Sequence, residues 1–437
     1  MRLIIKPKKH YGKWLKQPPT PKFISIQEII MKSSILAISL VTTTALGVYV
    51  YPVVSAKVSP APLPVTIVNP VIDNVAVPES INQKKIEVVF VLDTTGSMSG
   101  LIQAAKDNIW SIASSMASAE SAPVIKMGLV AYRDRGDEYV TQVVDLNDDL
   151  DTNYGKLMSF EAAGGGDDPE SVNKGLYDAV HGMSWSQDSD TYRVVFLVGD
   201  APPHMDYQDE MQFPEIVEIA HSKGITVNAI QCGNNHSATR PWQQIAKLGQ
   251  GEFFQVDQGG SAVAVSTPFD DQIASLSKEL DDTRLFYGNK AIKEEKRKKR
   301  DATHLYNRSA SSSSIARKAE FNISKSGKHN FVGENELVDA VTSGDVLLES
   351  IAVNELPEEL QTLGREEQNH LIEEKARKRE ELKTQIAELS KKRGVYVNQE
   401  LAKTGKDKDS LDMKIYQAVK SQASEKGLVY EAEAPKY

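Results

Sequence analysis

Two stretches of the chain consist almost entirely of apolar, strand-forming residues and end in an aspartate. They are IEVVFVLD at residues 86–93 and RVVFLVGD at residues 193–200. An uninterrupted apolar run of this length is typical of a strand that is buried on both faces, as in parallel sheets covered by helices. Both runs are therefore predicted to be central strands of an α/β sheet.

Between residues 84 and 287 such strand-like runs alternate with segments of helical spacing. The charged turn DRGDE separates two consecutive strand-like runs, which is typical of a hairpin. The pattern predicts an α/β domain with a doubly wound, mostly parallel sheet and one antiparallel edge strand. Strands are predicted at 86–92, 124–133, 139–146, 193–200, 225–233 and 251–256, and helices at 101–119, 151–160, 170–181, 213–223, 241–248 and 270–287.

The pattern changes after residue 287. The charge run KAIKEEKRKKRD and the serine-rich SASSSS predict a linker over residues 288–315. The region 316–437 is expected to be mixed and largely helical, with a few strands where weak alternation occurs and one long helix at about 357–393. The broken apolar stripe of that helix fits either a single supporting helix or a dimerising coiled coil.

The N-terminal part of the sequence reads as a set of targeting segments. Residues 1–30 are basic and are predicted to be either a basic leader or an extension that precedes the true translation start at Met31. A signal peptide is predicted at residues 31–56, ending in Val-Ser-Ala. The uncharged run also fits an uncleaved anchor, which would tether the chain to a membrane. A proline-rich linker is predicted at residues 57–83. The chain is therefore expected to be exported: periplasmic, secreted or at the cell surface.

Composition excludes several classes of function. The 437 residues carry a net charge of −9, which argues against a general nucleic-acid-binding protein, because contacts to phosphates need a basic face. The single cysteine, Cys232, cannot form an internal disulfide or a zinc cluster of the CxxC type.

Hydroxyl-bearing residues surround the first strand-ending aspartate, in the sequence DTTGSMS. A phosphate-binding loop needs a lysine that is absent here. A nucleophilic Asp93, as in phosphohydrolases of the haloacid-dehalogenase type, is disfavoured because Thr95 stands where those enzymes have a second aspartate. A helix N-cap is the ordinary role of a lone aspartate at such a turn.

Metal binding explains more of the pattern. Asp93, Thr95 and Ser97 alternate, so a loop can aim all three oxygens at one cation, and Asp200 ends a second strand at the same edge of the sheet. The loop GGGDDP adds Asp167 or Asp168, of which Asp167 is preferred. Oxygen ligands of this kind suit Mg²⁺, and Mn²⁺ is the alternative.

The order of DxTxS, a GGGDxPE loop and FLVGD resembles a von Willebrand factor A-type domain, in the branch of exported bacterial proteins bearing DTTGSM. The resemblance implies a metal ion-dependent adhesion site in which Thr95 and Ser97 ligate the metal directly, while Asp93 and Asp200 often act through water. Two positions depart from the family pattern: Thr95 replaces a serine, and Asp167 stands where adhesion proteins usually have a threonine.

These expectations combine into a non-enzymatic, exported binding module. An Asp or Glu carboxylate of a protein partner would complete the coordination of the metal. Two other functions remain open: a structural or assembly role carried by the C-terminal helix, and an Asp93-dependent phosphohydrolase. His204 and Asp206, which follow Asp200, are expected to shape their loop or to contact the partner.

Overall fold

The computed structural model describes residues 83–166, 168–260, 265–404 and 410–431. The leader at 1–30, the signal peptide at 31–56 and nearly all of the linker at 57–83 lie outside the described residues, and so does Asp167. Within the described segments, no helix has both the length and the apolar character needed to cross a membrane.

Within the described segments, six strands form one sheet in the order β3-β2-β1-β4-β5-β6. Every neighbouring pair is parallel except β2 with β3, which is antiparallel. The predicted fold class, with its single antiparallel edge strand, is confirmed. The strands are β1 Lys85–Asp93, β2 Val124–Tyr132, β3 Thr141–Asn147, β4 Tyr192–Gly199, β5 Ile225–Cys232 and β6 Gln250–Val256.

Helices cover both faces of this sheet. One face packs against a cluster that includes Trp110, and the other against a cluster that includes Leu176 and Trp242, all of them fully buried. The continuous apolar character of β1 and β4 follows from this arrangement, since neither face of either strand meets water. The helices between the strands are α1 Ser99–Met116, α2 Leu150–Ser159, α3 Val172–His181, α4 Phe213–Ser222 and α5 His236–Leu248.

The remaining described residues are helical. Residues 319–344, where a few strands were expected, form helices and turns, with one isolated antiparallel bridge between Glu336 and Phe286. The predicted long helix exists but runs later, from Arg365 to Thr404. The helices are α6 Asp270–Asp281, α7 Lys290–Ser309, α8 Ser312–Ile323, α9 Gly327–Val332, α10 Leu337–Thr342, α11 Glu358–Gln361, α12 Arg365–Thr404 and α13 Leu411–Ala423.

Residues 288–315 were expected to be a linker, but most of them form α7, which packs on the α/β part of the chain. Tyr306 is buried, with its ring 4.3 Å from that of Tyr154 and 5.9 Å from that of Trp110. The serine-rich stretch starts α8, where the side chain of Ser311 caps the helix by accepting a hydrogen bond from the Ser314 amide. The charge run is therefore the solvated face of a docked helix.

The last helix, α13, covers part of the sheet. Leu411 and Ile415 line an apolar cavity together with Phe90 of β1 and Val198 of β4. The Gln422 side chain accepts a hydrogen bond from Tyr192 of β4, at 2.7 Å between their oxygens. The core of the α/β domain thus extends beyond the expected boundary at residue 287, because residues from the far end of the chain complete one of its faces.

Candidate metal centre

Asp93 ends β1 and Asp200 directly follows β4, so both lie at the carboxyl ends of neighbouring strands. This end of the sheet is called the carboxyl edge. The two strands are parallel neighbours, with Leu92 opposite Val198. Gly199 makes the approach close, since a Cβ atom there would stand only 2.9 Å from the Cβ of Asp93. The two strand-ending aspartates are therefore brought together as the sequence predicted.

The Asp93 carboxylate is fully buried, and only one of its two oxygens accepts hydrogen bonds from described residues. Its Oδ1 accepts hydrogen bonds from the backbone amide of Thr95, at 2.8 Å, and from the Thr95 hydroxyl, at 2.7 Å. Its Oδ2 is buried and accepts no hydrogen bond from any residue that the structure describes. Burial, the largest influence, raises the pKa of Asp93 to about 7, although the hydrogen bonds from Thr95 act in the opposite direction.

The hydroxyls follow Asp93 in a short turn. The oxygens of Thr95 and Ser97 are 3.4 Å apart, with Thr95 buried and Ser97 exposed. A 3₁₀ turn at Gly96–Met98 leads directly into α1, and neither element has a side-chain capping hydrogen bond at its start. The helix N-cap role for Asp93 is thus excluded, and its Oδ2 is available for another ligand.

The glycine-rich loop that contains Gly164 and Gly165, called the second loop, packs its backbone against the turn that follows Asp93, called the first loop. The amide of Gly96 donates a hydrogen bond of 3.2 Å to the carbonyl of Gly164. Gly164 and Gly165 both adopt φ of +76°, a conformation that favours glycine. Asp168 is exposed and accepts hydrogen bonds from the side chains of Asn235 and Ser237, so it faces the loop after β5.

Two side chains that the sequence reasoning missed also contribute. Gln258 follows β6 and donates a hydrogen bond of 2.6 Å from Nε2 to Asp200 Oδ2. Glu170, from the end of the second loop, is 4% exposed, and within the described part of the chain its Oε2 has no hydrogen-bond partner. Burial, with repulsion from Asp93 and Asp134, raises the pKa of Glu170 to about 9. Glu170 ends the GGGDxPE pattern, but nothing local distinguishes it from an exposed loop residue.

These groups surround an open depression of about 510 Å³ at the carboxyl edge. In the described segments, no three or more His, Cys, Asp or Glu side chains are grouped as a metal cluster. A cation here would thus need the hydroxyls as well as the carboxylates. The depression is lined by Thr95, Gly96, Ser97, Gly164, Gly165, Gly166, Asp168, Glu170, Asp200, Ala201, Asn234, Asn235 and Gln258.

The residues present fit a divalent cation. Every candidate donor is an oxygen, and the buried, unpartnered Oδ2 of Asp93 is an acceptor that a cation or its bound water would satisfy. Asp93, Thr95, Ser97 and Asp200 would hold the ion, which would supply a positive charge able to attract an anionic group.

His204 and Asp206 form a separate network beside the depression. His204 Nδ1 is 2.7 Å from Asp206 Oδ1, and His204 Nε2 is 3.3 Å from Asp134 Oδ2. The Tyr207 hydroxyl donates to Asp134 at 3.0 Å, and its ring stacks on that of His204. This network fixes the loop after β4, as expected for groups that shape the loop.

Comparison with known proteins gives one family match and several similar folds. Residues 87–266 match the model of the von Willebrand factor A domain. No curated protein sequence matches the chain.

Three solved structures illustrate the likeness of fold. The SpRpn10 VWA domain is 12% identical, with a TM-score of 0.31, covering 40% of this chain and 88% of that one. The pilus adhesin SpaC from Lactobacillus rhamnosus GG is 16% identical, with a TM-score of 0.33, covering 41% of this chain and 28% of that one. Proximal thread matrix protein 1 from the mussel byssus, solved with a zinc-occupied MIDAS motif, is 16% identical, with a TM-score of 0.31.

The match to the mussel protein covers 40% of this chain and 41% of that one, so the likeness is confined to a part of each molecule. Asp93, Thr95, Ser97 and Asp200 all lie inside the segment that matches the family model. The match to the von Willebrand factor A domain model thus spans residues 87–266, and the remainder of the chain lies outside it.

Proposed function

We propose that the protein binds a partner protein through a divalent cation, Mg²⁺ or Mn²⁺, held at the carboxyl edge of the sheet. The observation that carries this proposal is the proximity of Asp93, at the end of β1, to Asp200, directly after β4, beside the hydroxyls of Thr95 and Ser97. Asp93 Oδ2 is buried and accepts no hydrogen bond from the described residues. A buried carboxylate oxygen without a partner is costly, and a cation would offset that cost.

Each residue has a distinct part in the proposed centre. Thr95 and Ser97 offer hydroxyl oxygens, Asp93 and Asp200 supply negative charge, and Asp167 remains the proposed contribution of the second loop. An Asp or Glu carboxylate of the partner would complete the coordination, because the depression is open and a carboxylate is a preferred ligand of these ions.

A binding role is better supported than the phosphohydrolase alternative. A nucleophilic Asp93 would have to reach its substrate, yet the residue is 0% exposed, and its Oδ1 already accepts two hydrogen bonds from Thr95. The protein is accordingly proposed to be a non-enzymatic module. Its export is proposed from the sequence at residues 31–56 alone.

Titration calorimetry of the purified protein with Mg²⁺ and Mn²⁺ tests the proposal. We expect saturable binding by the wild type and at least tenfold weaker binding by Asp93→Ala and Asp200→Ala. The matched control is Asp190→Ala, which removes an exposed aspartate elsewhere. Absence of saturable binding in the wild type, or equal binding in all three variants, would refute a cation centre at these residues.

A further inference from the structure

Arg133 directly follows β2, and its buried guanidinium contacts both loops of the candidate cation centre. Its Nε donates a hydrogen bond of 3.2 Å to the carbonyl of Thr94, in the first loop. Its Nη2 donates one of 2.8 Å to the carbonyl of Glu161, at the start of the second loop. The planar fork of an arginine makes both bonds at once, whereas a lysine carries a single ammonium group. One side chain therefore fixes the spacing of the two loops.

The peptide unit between Thr94 and Thr95 is held at both of its polar atoms. Its oxygen accepts a hydrogen bond from the amide of Ala163, at 3.1 Å, in addition to the one from Arg133. Its nitrogen donates to Asp93 Oδ1 at 2.8 Å. Because a peptide unit is planar, these bonds fix the direction in which the backbone enters Thr95. The position of the Thr95 hydroxyl relative to the Asp93 carboxylate follows from that direction.

Arg133 is itself held in place by neighbouring groups. Its guanidinium carbon lies 4.2 Å from the ring centroid of Tyr139, whose hydroxyl is 2.8 Å from that of Thr94. The carbonyl of Arg133 accepts a hydrogen bond of 3.2 Å from the amide of Ser171, directly after the second loop. The second loop is thus bound to Arg133 at both of its ends, by the side chain at one end and by the backbone at the other.

We propose that Arg133 sets the size of the cation centre and thereby its preference for Mg²⁺ over the larger Ca²⁺. This inference rests on the proposed function. Mg²⁺ needs ligand oxygens at about 2.1 Å in a nearly octahedral arrangement, whereas Ca²⁺ accepts oxygens at about 2.4 Å in irregular arrangements. Two loops held at a fixed spacing favour the smaller ion, and loops that move apart lose this preference. Arg133 acts as a positioning residue, because it contacts the loops through their carbonyls.

The test is Arg133→Lys, which keeps the positive charge and removes the fork. Titration calorimetry measures the affinities for Mg²⁺ and for Ca²⁺ separately. We expect the wild type to prefer Mg²⁺, and the ratio of Mg²⁺ affinity to Ca²⁺ affinity to fall about fivefold or more in the variant, because Mg²⁺ tolerates displaced ligands less well.

Arg193→Lys is the matched control. Arg193 is also buried and donates hydrogen bonds to backbone carbonyls, those of Ser186 at 2.8 Å and Lys223 at 3.1 Å, but it lies near the start of β4, at the opposite edge of the sheet. Urea unfolding without cation should show both variants folded and less stable than the wild type, since each loses hydrogen bonds of a buried guanidinium. The ratio of the two affinities should fall in Arg133→Lys alone.

Tyr139→Leu provides a second variant, which removes the half-buried ring beside the guanidinium. It should lower the ratio in the same direction, by about twofold, and it decides the matter if Arg133→Lys does not fold. An unchanged ratio, an equal fall in Arg193→Lys, or a wild type that prefers Ca²⁺ would overturn the inference and leave the proposed function intact. A wild type that binds neither Mg²⁺ nor Mn²⁺ would instead defeat the proposed function.

Discussion

At the scale of single residues, Gly199 makes the meeting of the two strand-ending aspartates possible. A side chain there would press on the hydroxyl of Tyr132 and on the Cβ of Asp93, both fully buried. We expect Gly199→Ala to cost about 1–3 kcal/mol of unfolding free energy, as overpacking does elsewhere, and to weaken Mn²⁺ binding.

Urea unfolding and calorimetry measure the two effects of Gly199→Ala. Gly394→Ala is the control, because a Cβ at that position in α12 would meet nothing within 4 Å and the residue does not line the depression. Equal stability and equal Mn²⁺ affinity for the two variants would contradict this account of Gly199.

The places of four candidate site residues could be predicted from the sequence, because they end predicted strands or follow them closely. They are Asp93, Thr95, Ser97 and Asp200. Parallel strands share one edge, so Asp93 and Asp200 had to meet there. Glu170 and Gln258 could not be predicted, since their roles depend on where two loops return in space. Asp167 remains a prediction, because it lies outside the described residues.

At the scale of elements, buried ion pairs join the helices that follow the sheet to helix α2 of the α/β domain. Lys318 of α8 is fully buried, with its ammonium 3.2 Å from Asp151 Oδ1 of α2 and 3.1 Å from Asp281 Oδ2 of α6. Lys318→Met should destabilise the protein by about 3–5 kcal/mol, because two buried carboxylates lose a shared partner.

Chemical denaturation is the measurement for Lys318→Met, and Lys328→Met is its control. The Lys328 side chain is 58% exposed and pairs with Asp339, so its loss should cost about 1 kcal/mol or less. A similar small cost for Lys318→Met would mean that the buried pairs contribute little to docking.

The strands were predictable as elements because their apolar runs are long and uninterrupted. Helix α7 was mistaken for linker because only Lys299, Thr303 and Tyr306 of its 20 residues are buried, so charge dominates the pattern. The six-residue helices α9 and α10 are too short for helical spacing to be distinguished from alternation.

At the scale of the whole molecule, the far C-terminal segment belongs to the core of the α/β domain. The Tyr430 hydroxyl donates to the carbonyl of Met116 at 3.0 Å, and Ile415 and Val419 of α13 are buried in the same cluster as Phe90. Deleting residues 411–437 should therefore abolish the cooperative urea transition and increase binding of a hydrophobic dye.

The control deletion removes residues 432–437 only, which keeps every contact of α13 named above and should leave the transition unchanged. A cooperative transition in the longer deletion would show that the domain folds without α13. The predicted domain boundary at residue 287 leaves out α13, because the sequence pattern does not show which distant helix packs on the sheet.

The late position of α13 also bears on the order of events during synthesis. The sheet is complete once residue 256 has emerged, but one of its faces remains partly uncovered until residues 411–430 follow. A nascent chain of intermediate length consequently exposes apolar surface, which favours either chaperone capture or passage through a membrane before folding. For this chain, residues 411–430 decide when the domain that contains the sheet becomes native.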